Sequence, residues 1–350
     1  MEIQNTGGKS RNSRIVNLIY ERTTRMKFII TLDTEGDNQW DHGRILTTEN
    51  IRYIPRFQNL CEKYGIKPTY LVTSEICRDG FSSEIFREYL SKDRAEVGAH
   101  LHSWTTPPFK DDDGFRSNDI YHAFAHELPE FVLTEKIKVL TDQIENSFGK
   151  KPKSFRSGRY GFNRTVAKIL SENDYVVDSS LTPFVSWKAH KGIPNGQGGP
   201  DFINCSPFPF KYYFDNNSLT EIPITILPTR FPLNRNWKLA RYYFINSEKN
   251  VFLKFFRKCL YNDQPLWLRP HIWTTPRHLN DVILESKKIG LPYIVMMFHT
   301  SELMPGCSIY RTDEDSVEKL YDLLEFFFIS LQSNNIKSVT LTEAAEDLDI

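Results

Sequence analysis

Short apolar runs alternate with segments whose apolar residues recur at helical spacing over almost the whole chain. Eight runs read as strands: FIITLDT (28–34), TYLVTS (69–74), EVGAHL (96–101), SFRSGRY (154–160), YVVDSSL (175–181), LTEIPIT (219–225), IVMMFHT (294–300) and SVTLTE (338–343). Between them, IRYIPRFQNLCEKYG and FVLTEKIKVLTDQIENSFG carry apolar residues at helical spacing and end in Gly65 and Gly149. RTVAKILSENDY, PRHLNDVILESKKIG and EDSVEKLYDLLEFFFISLQSN follow the same pattern. Strand–helix alternation over this length predicts a parallel α/β architecture. No GxGxxG follows the first strand, so a barrel fits better than an open dinucleotide-binding sheet. Residues 183–275 break the rhythm with Pro, Gly and aromatic residues (FPFKYYF, TRFPLNRNW). They read as long loops plus one helix, inserted late in the barrel or covering its mouth. The expected organisation is a flexible tail over 1–25 and one distorted (β/α) barrel domain of about seven parallel strands over 26–350.

The polar residues at the strand ends give this scaffold a chemistry. The C-terminal ends of barrel strands converge on one mouth. Asp33 and Glu35 end the first strand, His100 and His102 the third, Arg159 and Tyr160 the fourth, and His299 the late strand IVMMFH. In a strand, residues i and i+2 project to one face, so Asp33 pairs with Glu35 and His100 with His102. Two imidazoles and a carboxylate can hold a divalent metal and leave positions open. Such a cation activates water for hydrolysis; the second carboxylate can take the water's proton, and His299 can protonate a leaving amine. The bland readings are a turn or cap for Asp33, satisfied polar histidines, and a structural ion pair for Arg159.

Composition narrows the choice. Hydrophobic residues make up 40% of the 350 residues and charged residues 25%, enough to bury a core. The formal net charge is zero, so nothing points to a phosphate backbone and nucleic acid is a poor partner. Aromatic residues reach 13%, compatible with a saccharide groove as well as with core packing. The five cysteines (Cys61, Cys77, Cys205, Cys259, Cys307) form no CxxC pair, which argues against a disulfide framework or a thiolate zinc site. No apolar run is long enough to cross a membrane. The N-terminal segment has only the short run IVNLIY and no small-residue cleavage site, and Met26, just before the first strand, is a candidate start. A cytoplasmic protein with reduced thiols is the expectation.

Weaker candidates lie elsewhere. His122 and His126 have an i, i+4 spacing but no adjacent catalytic Glu. Asp111-Asp112-Asp113-Gly114 lacks the alternating ligands of a calcium loop and reads as a solvated turn. Arg269, His271 and Trp273 in WLRPHIWTT look like another strand end, with Arg269 in reach of the base or the substrate. Trp104, Trp187 and Trp273 are candidates to stack on a sugar ring, or to fill the core.

At these residues the sequence resembles the polysaccharide deacetylase family, also called the NodB-homology or carbohydrate esterase family 4 group. TLDTEGD is similar to its aspartate-bearing first motif, EVGAHLHSWTTPP to the histidine-bearing second, and SFRSGRYGFN to the Arg and Tyr-Gly third. VVDSSLTPFVSW resembles the fourth and IVMMFHTSELMPG the fifth, in the family's order, over about residues 28 to 345. The resemblance implies a distorted (β/α) barrel, a divalent metal, often Zn2+, and removal of an N-acetyl group from an amino sugar. By position it makes Asp33 the general base, Glu35 and His100 metal ligands and His299 the acid, with His102 the nearest substitute for the second metal histidine. Arg156 or Arg159 would orient the base, and the backbone N–H of Tyr160 would help hold an oxyanion; Trp104 and Arg269 stay substrate-binding candidates on the reading of the residues alone. The chain departs from the family in three places. Thr34 rather than an aspartate follows Asp33, Trp104 stands where the second metal histidine normally lies, and the third motif has one extra residue between its Arg and Tyr.

The expected function is therefore a metal-dependent carbohydrate deacetylase acting on an N-acetylated saccharide. The alternatives are a metal-free or non-catalytic saccharide-binding relative, and a hydrolase of another non-peptide C–N bond.

Overall fold

The computed structural model describes residues 26–37, 39, 46–109, 122–227, 246, 250–253, 255 and 265–348. The expected tail over 1–25, the Asp111–Gly114 turn and most of residues 228–264 lie outside the described residues.

Seven strands run parallel in one curled sheet: β1 (Lys27–Thr34), β2 (Thr69–Val72), β3 (Glu96–Leu101), β4 (Ser154–Ser157), β5 (Val177–Asp178), β7 (Ser218–Glu221) and β10 (Tyr293–His299). An antiparallel edge strand, β6 (Phe210–Tyr213), completes the order β10-β1-β2-β3-β4-β5-β7-β6. The chain then leaves the sheet to close the ring. The Ile222 N–H donates to the Asp178 carbonyl and the Ile224 N–H to Leu181, while the Thr225 N–H reaches Val295 of β10 at 3.1 Å. Val295 returns a bond from its N–H to the Thr225 hydroxyl at 2.7 Å. A short pair, β8 (Ile226–Leu227) and β9 (Leu266–Trp267), continues this seam. The result is a distorted (β/α) barrel.

The central strands are buried on both faces, which is why β1 and β10 read as near-continuous apolar runs. The α-helices described from end to end are α1 (Ile54–Lys63), α2 (Gly80–Ser91), α3 (Glu130–Phe148), α4 (Arg164–Glu172), α5 (Pro276–Ile289), α6 (Glu314–Ser333) and α7 (Leu341–Asp347). In α6, Val317, Leu320, Leu324, Phe327, Phe328 and Leu331 form one buried stripe at helical spacing. Phe327 meets Phe28 of β1 edge-on at 5.5 Å. The Asn163 side chain caps α4, and Gly149 ends α3 in the left-handed conformation at φ 79°.

Three expectations need correction. SVTLTE is not a strand: Ser338 makes one isolated bridge to Phe28, and Thr340 and Glu343 form a capping box that starts α7. FPFKYYF is not loop, because its centre forms β6. The helix α2 is absent from the sequence reading, since its GFSS start resembles a turn. The Asp79 side chain caps it through the Ser82 N–H, and Ile85, Phe86 and Tyr89 anchor it.

Candidate functional site

Strand register brings the polar ends together. Asp33 of β1 lies opposite His299 of β10, and His100 of β3 opposite Arg156 of β4. Asp33, Glu35, His100, His102 and His299 all line one cavity of about 420 Å³, walled by aromatic groups that include Tyr160, Trp187, Trp267 and Tyr310. That volume falls in the range of small-ligand pockets, about 300–1,000 Å³.

Asp33 is clamped. Its Oδ1 accepts from Arg156 Nη1 at 2.6 Å, while Oδ2 lies 3.9 Å from both His100 Nε2 and His299 Nε2. The rest of the Arg156 fork is engaged: Nε donates to the Ser179 carbonyl at 2.7 Å and Nη2 to the Ser179 hydroxyl at 3.1 Å. Burial pushes the Asp33 carboxyl up, but the Arg156 guanidinium, then His100 and His299, hold it well below the usual carboxylate range.

Glu35 faces the two histidines of β3. Its Oε2 lies 3.1 Å from His102 Nε2 and 3.7 Å from His100 Nε2, and its Oε1 3.8 Å from His299 Nε2. Both carboxylate oxygens are buried without a hydrogen-bond donor. The far side of each ring explains why. His100 Nδ1 sits 3.0 Å from the Arg156 carbonyl, an acceptor only, so Nδ1 carries the proton and Nε2 presents a lone pair. His102 Nδ1 sits 3.2 Å from Gln39 Oε1. Lone pairs therefore point at a carboxylate from two directions. A proton could bridge one such contact; a divalent cation serves all three groups at once. Glu35, His100 and His102 have ligand atoms within 4.8 Å of one another, and they form the sole such cluster among the described residues. The donor set fits a divalent metal with positions left open. Burial lowers His100 to about 4, against the pull of Asp33.

His299 is held from behind. Its Nδ1 lies 3.3 Å from Arg269 Nη2 and 3.5 Å from Glu302 Oε1. Glu302 Oε1 also accepts from Arg269 Nη2 at 2.9 Å and from the His299 N–H at 3.2 Å. Burial opposes protonation of His299, yet Glu35 and then Glu302 raise it above the ordinary histidine value. Glu302, pushed up by burial, is held down at about 2 chiefly by Arg269. Glu302 is absent from the sequence reading; its signal is a glutamate three residues beyond the strand-end histidine.

Several expected residues stand elsewhere than predicted. Arg156, not Arg159, clamps Asp33. Arg159 is turned to the carbonyls of His122 and Lys191, the latter at 2.8 Å, with its guanidinium 4.0 Å over the Phe124 ring. The cause is local: the extra residue in the third motif follows β4 as a tight turn, with Arg159 and Tyr160 both at positive φ (53° and 62°). Tyr160 stays on the cavity wall, its ring stacked on Trp187 at 5.0 Å. Trp104 is not on the cavity wall. It is buried behind His102, stacked on that ring at 4.3 Å and on His122 at 4.2 Å. Arg269 lines the cavity but is committed to Glu302 and to Met297 Sδ at 2.9 Å, so it supports His299 rather than reaching out to substrate. His126 is tied to the Gly198 carbonyl at 3.1 Å and joins no metal cluster among the described residues. Trp273 is exposed and lies flat on His271 at 4.2 Å.

Comparison with solved structures places the architecture. A protein from Mycobacterium smegmatis assigned as a polysaccharide deacetylase superposes with a TM-score of 0.53 at 13% identity, covering 93% of this chain and 90% of that one. The chain has the polysaccharide deacetylase fold. A 4-alpha-glucanotransferase from Thermococcus litoralis superposes with a TM-score of 0.51 at 14% identity, over 91% of this chain but only 40% of that protein. No family model and no curated protein matches the sequence. Among the described residues no helix is long and apolar enough to cross a membrane.

Proposed function

We propose that this chain is a metal-dependent hydrolase that removes the N-acetyl group of an amino sugar. One observation carries the reading: the orphaned Glu35 carboxylate faces the lone pairs of His100 and His102, with Asp33 and His299 on the same cavity. Glu35, His100 and His102 would hold the cation. When bound, it would polarise the amide carbonyl and make a water more acidic.

The remaining work falls to the protein's own groups. Asp33, kept ionised by Arg156, accepts the proton of the attacking water as the new C–O bond forms. His299, with Glu302 3.5 Å behind its Nδ1, gives its proton to the nitrogen as the C–N bond breaks. Acetic acid, which ionises to acetate, and the free amine leave, and the proton on Asp33 passes through solvent to His299, restoring both groups. The backbone N–H of Tyr160, in the strained turn after β4, is the candidate oxyanion donor. The aromatic walls suit the apolar faces of a sugar ring. The saccharide class rests on the family resemblance.

The test is acetate release from N-acetylated saccharides by zinc-supplemented protein, compared with Asp33→Asn. We expect the variant to lose at least about a hundredfold in rate while retaining zinc. A fully active variant would overturn the role of Asp33. A non-catalytic, saccharide-binding protein is the second reading, favoured by Trp104 at the position of a metal histidine; zinc-free protein that binds sugar without hydrolysis would select it.

A further inference from the structure

The substitution of an indole for a metal histidine at position 104 has a structural consequence of its own. Trp104 Nε1 is a donor only, and it lies 3.2 Å from Gln39 Oε1. On the other end of the carboxamide, Gln39 Nε2 donates to Glu75 Oε1, a carboxylate that also accepts the Gly36 N–H at 3.1 Å. A donor-only indole at one end and an acceptor at the other leave the carboxamide a single orientation, oxygen toward Trp104. The same oxygen lies 3.2 Å from His102 Nδ1. That nitrogen must therefore carry a proton to be satisfied, and in the neutral ring Nε2 is left with its lone pair facing Glu35 Oε2 at 3.1 Å. The stack of Trp104 on His102, 4.3 Å apart and 24° from parallel, fixes the ring plane.

We infer that Gln39, oriented by Trp104 and Glu75, is a positioning residue that sets the tautomer of His102 and so makes it a metal ligand. This rests on the metal reading of Glu35, His100 and His102. Without the Gln39 acceptor, a neutral His102 gains more by moving its proton to Nε2 and donating it to Glu35. That hydrogen bond occupies the lone pair and the carboxylate oxygen that a cation needs. Outer partners of ligating histidines commonly change metal affinity by about 10- to 100-fold.

The experiment uses the full chain and its Gln39→Leu variant, each free of metal and at a pH where imidazole is neutral. Side-chain 15N NMR of His102 should show a protonated Nδ1 in the unsubstituted protein and a proton shifted to Nε2 in the variant. Zinc titration should show affinity falling by about 10- to 100-fold in the variant. Trp104→Phe keeps a ring on His102 but frees the carboxamide to turn, and should give a smaller change in the same direction; it also serves should Gln39→Leu fold poorly. An unsubstituted protein with its His102 proton on Nε2, or variants with unchanged tautomer and zinc affinity, would overturn the inference. If the unsubstituted protein binds no zinc, the metal reading fails on that ground alone, while the NMR result still decides the role of Gln39.

Discussion

Two buried arginine–carboxylate pairs flank the cavity, and they serve opposite ends. Arg156 and Asp33 join β4 to β1, and the carboxylate of that pair itself faces the cavity. Arg269 and Glu302 join the segment after β9 to the turn after β10, and there the carboxylate stands behind His299. The chemistry of the pairs is the same; the group presented to the cavity is not. In the first, a cation lowers the proton affinity of the cavity-facing Asp33. In the second, an anion helps raise the proton affinity of the cavity-facing His299, while Arg269 limits that rise. Neighbouring groups whose proton affinities are pushed apart are the pattern of a base and an acid working on one substrate.

The largest expected effect comes from breaking the first pair. Arg156→Met leaves Asp33 buried with its charge uncompensated, which costs about 3–5 kcal/mol of stability, read by urea denaturation. The Ser179 contacts go with it. If stability is unchanged, Asp33 has another source of compensation and the comparison fails.

Breaking the second pair should act on protonation more than on structure alone. Glu302→Gln removes an anion beside His299, so the alkaline limb of the rate–pH profile should move to lower pH. The opposite movement would remove Glu302 from the account. Glu302 also ties stability to acid pH. Its carboxyl is held at about 2 in the folded state against an ordinary 4.5, so its contribution is present above 4.5 and is lost as pH falls toward 2. Thermal melting between these limits should be flatter for the variant. The smallest effect is expected at Arg159. Arg159→Met unclips the chain segments at His122 and Lys191 and should raise KM by less than about tenfold with little change in kcat. A collapse of kcat would restore Arg159 to the base.

The half of the site carried by strand ends was legible in the sequence. Asp33, Glu35, His100, His102 and His299 follow from strand boundaries and two-residue spacing, both local signals. What was not legible depends on distant segments meeting. Trp104 reads equally as a sugar platform or as core filling, and what decides is Gln39, 65 residues earlier, which accepts from its indole. Arg156 and Arg159 differ only in where β4 stops, and the turn that follows decides which one faces Asp33. Arg269 looks free for substrate until Glu302, 33 residues on, is brought against it. The same limit explains the fold errors: SVTLTE has strand propensity, but its Thr340 and Glu343 cap a helix instead.

Metal binding by Glu35, His100 and His102 is the property on which the proposed hydrolysis depends most directly. Zinc titration by calorimetry, with elemental analysis of the dialysed product, tests it on the unsubstituted chain and on Glu35→Gln. One tightly held zinc per chain is expected, lost or greatly weakened in the variant, with hydrolysis following zinc occupancy. A chain that retains no divalent metal after supplementation, or a Glu35→Gln variant that binds zinc as tightly as its parent, would contradict it.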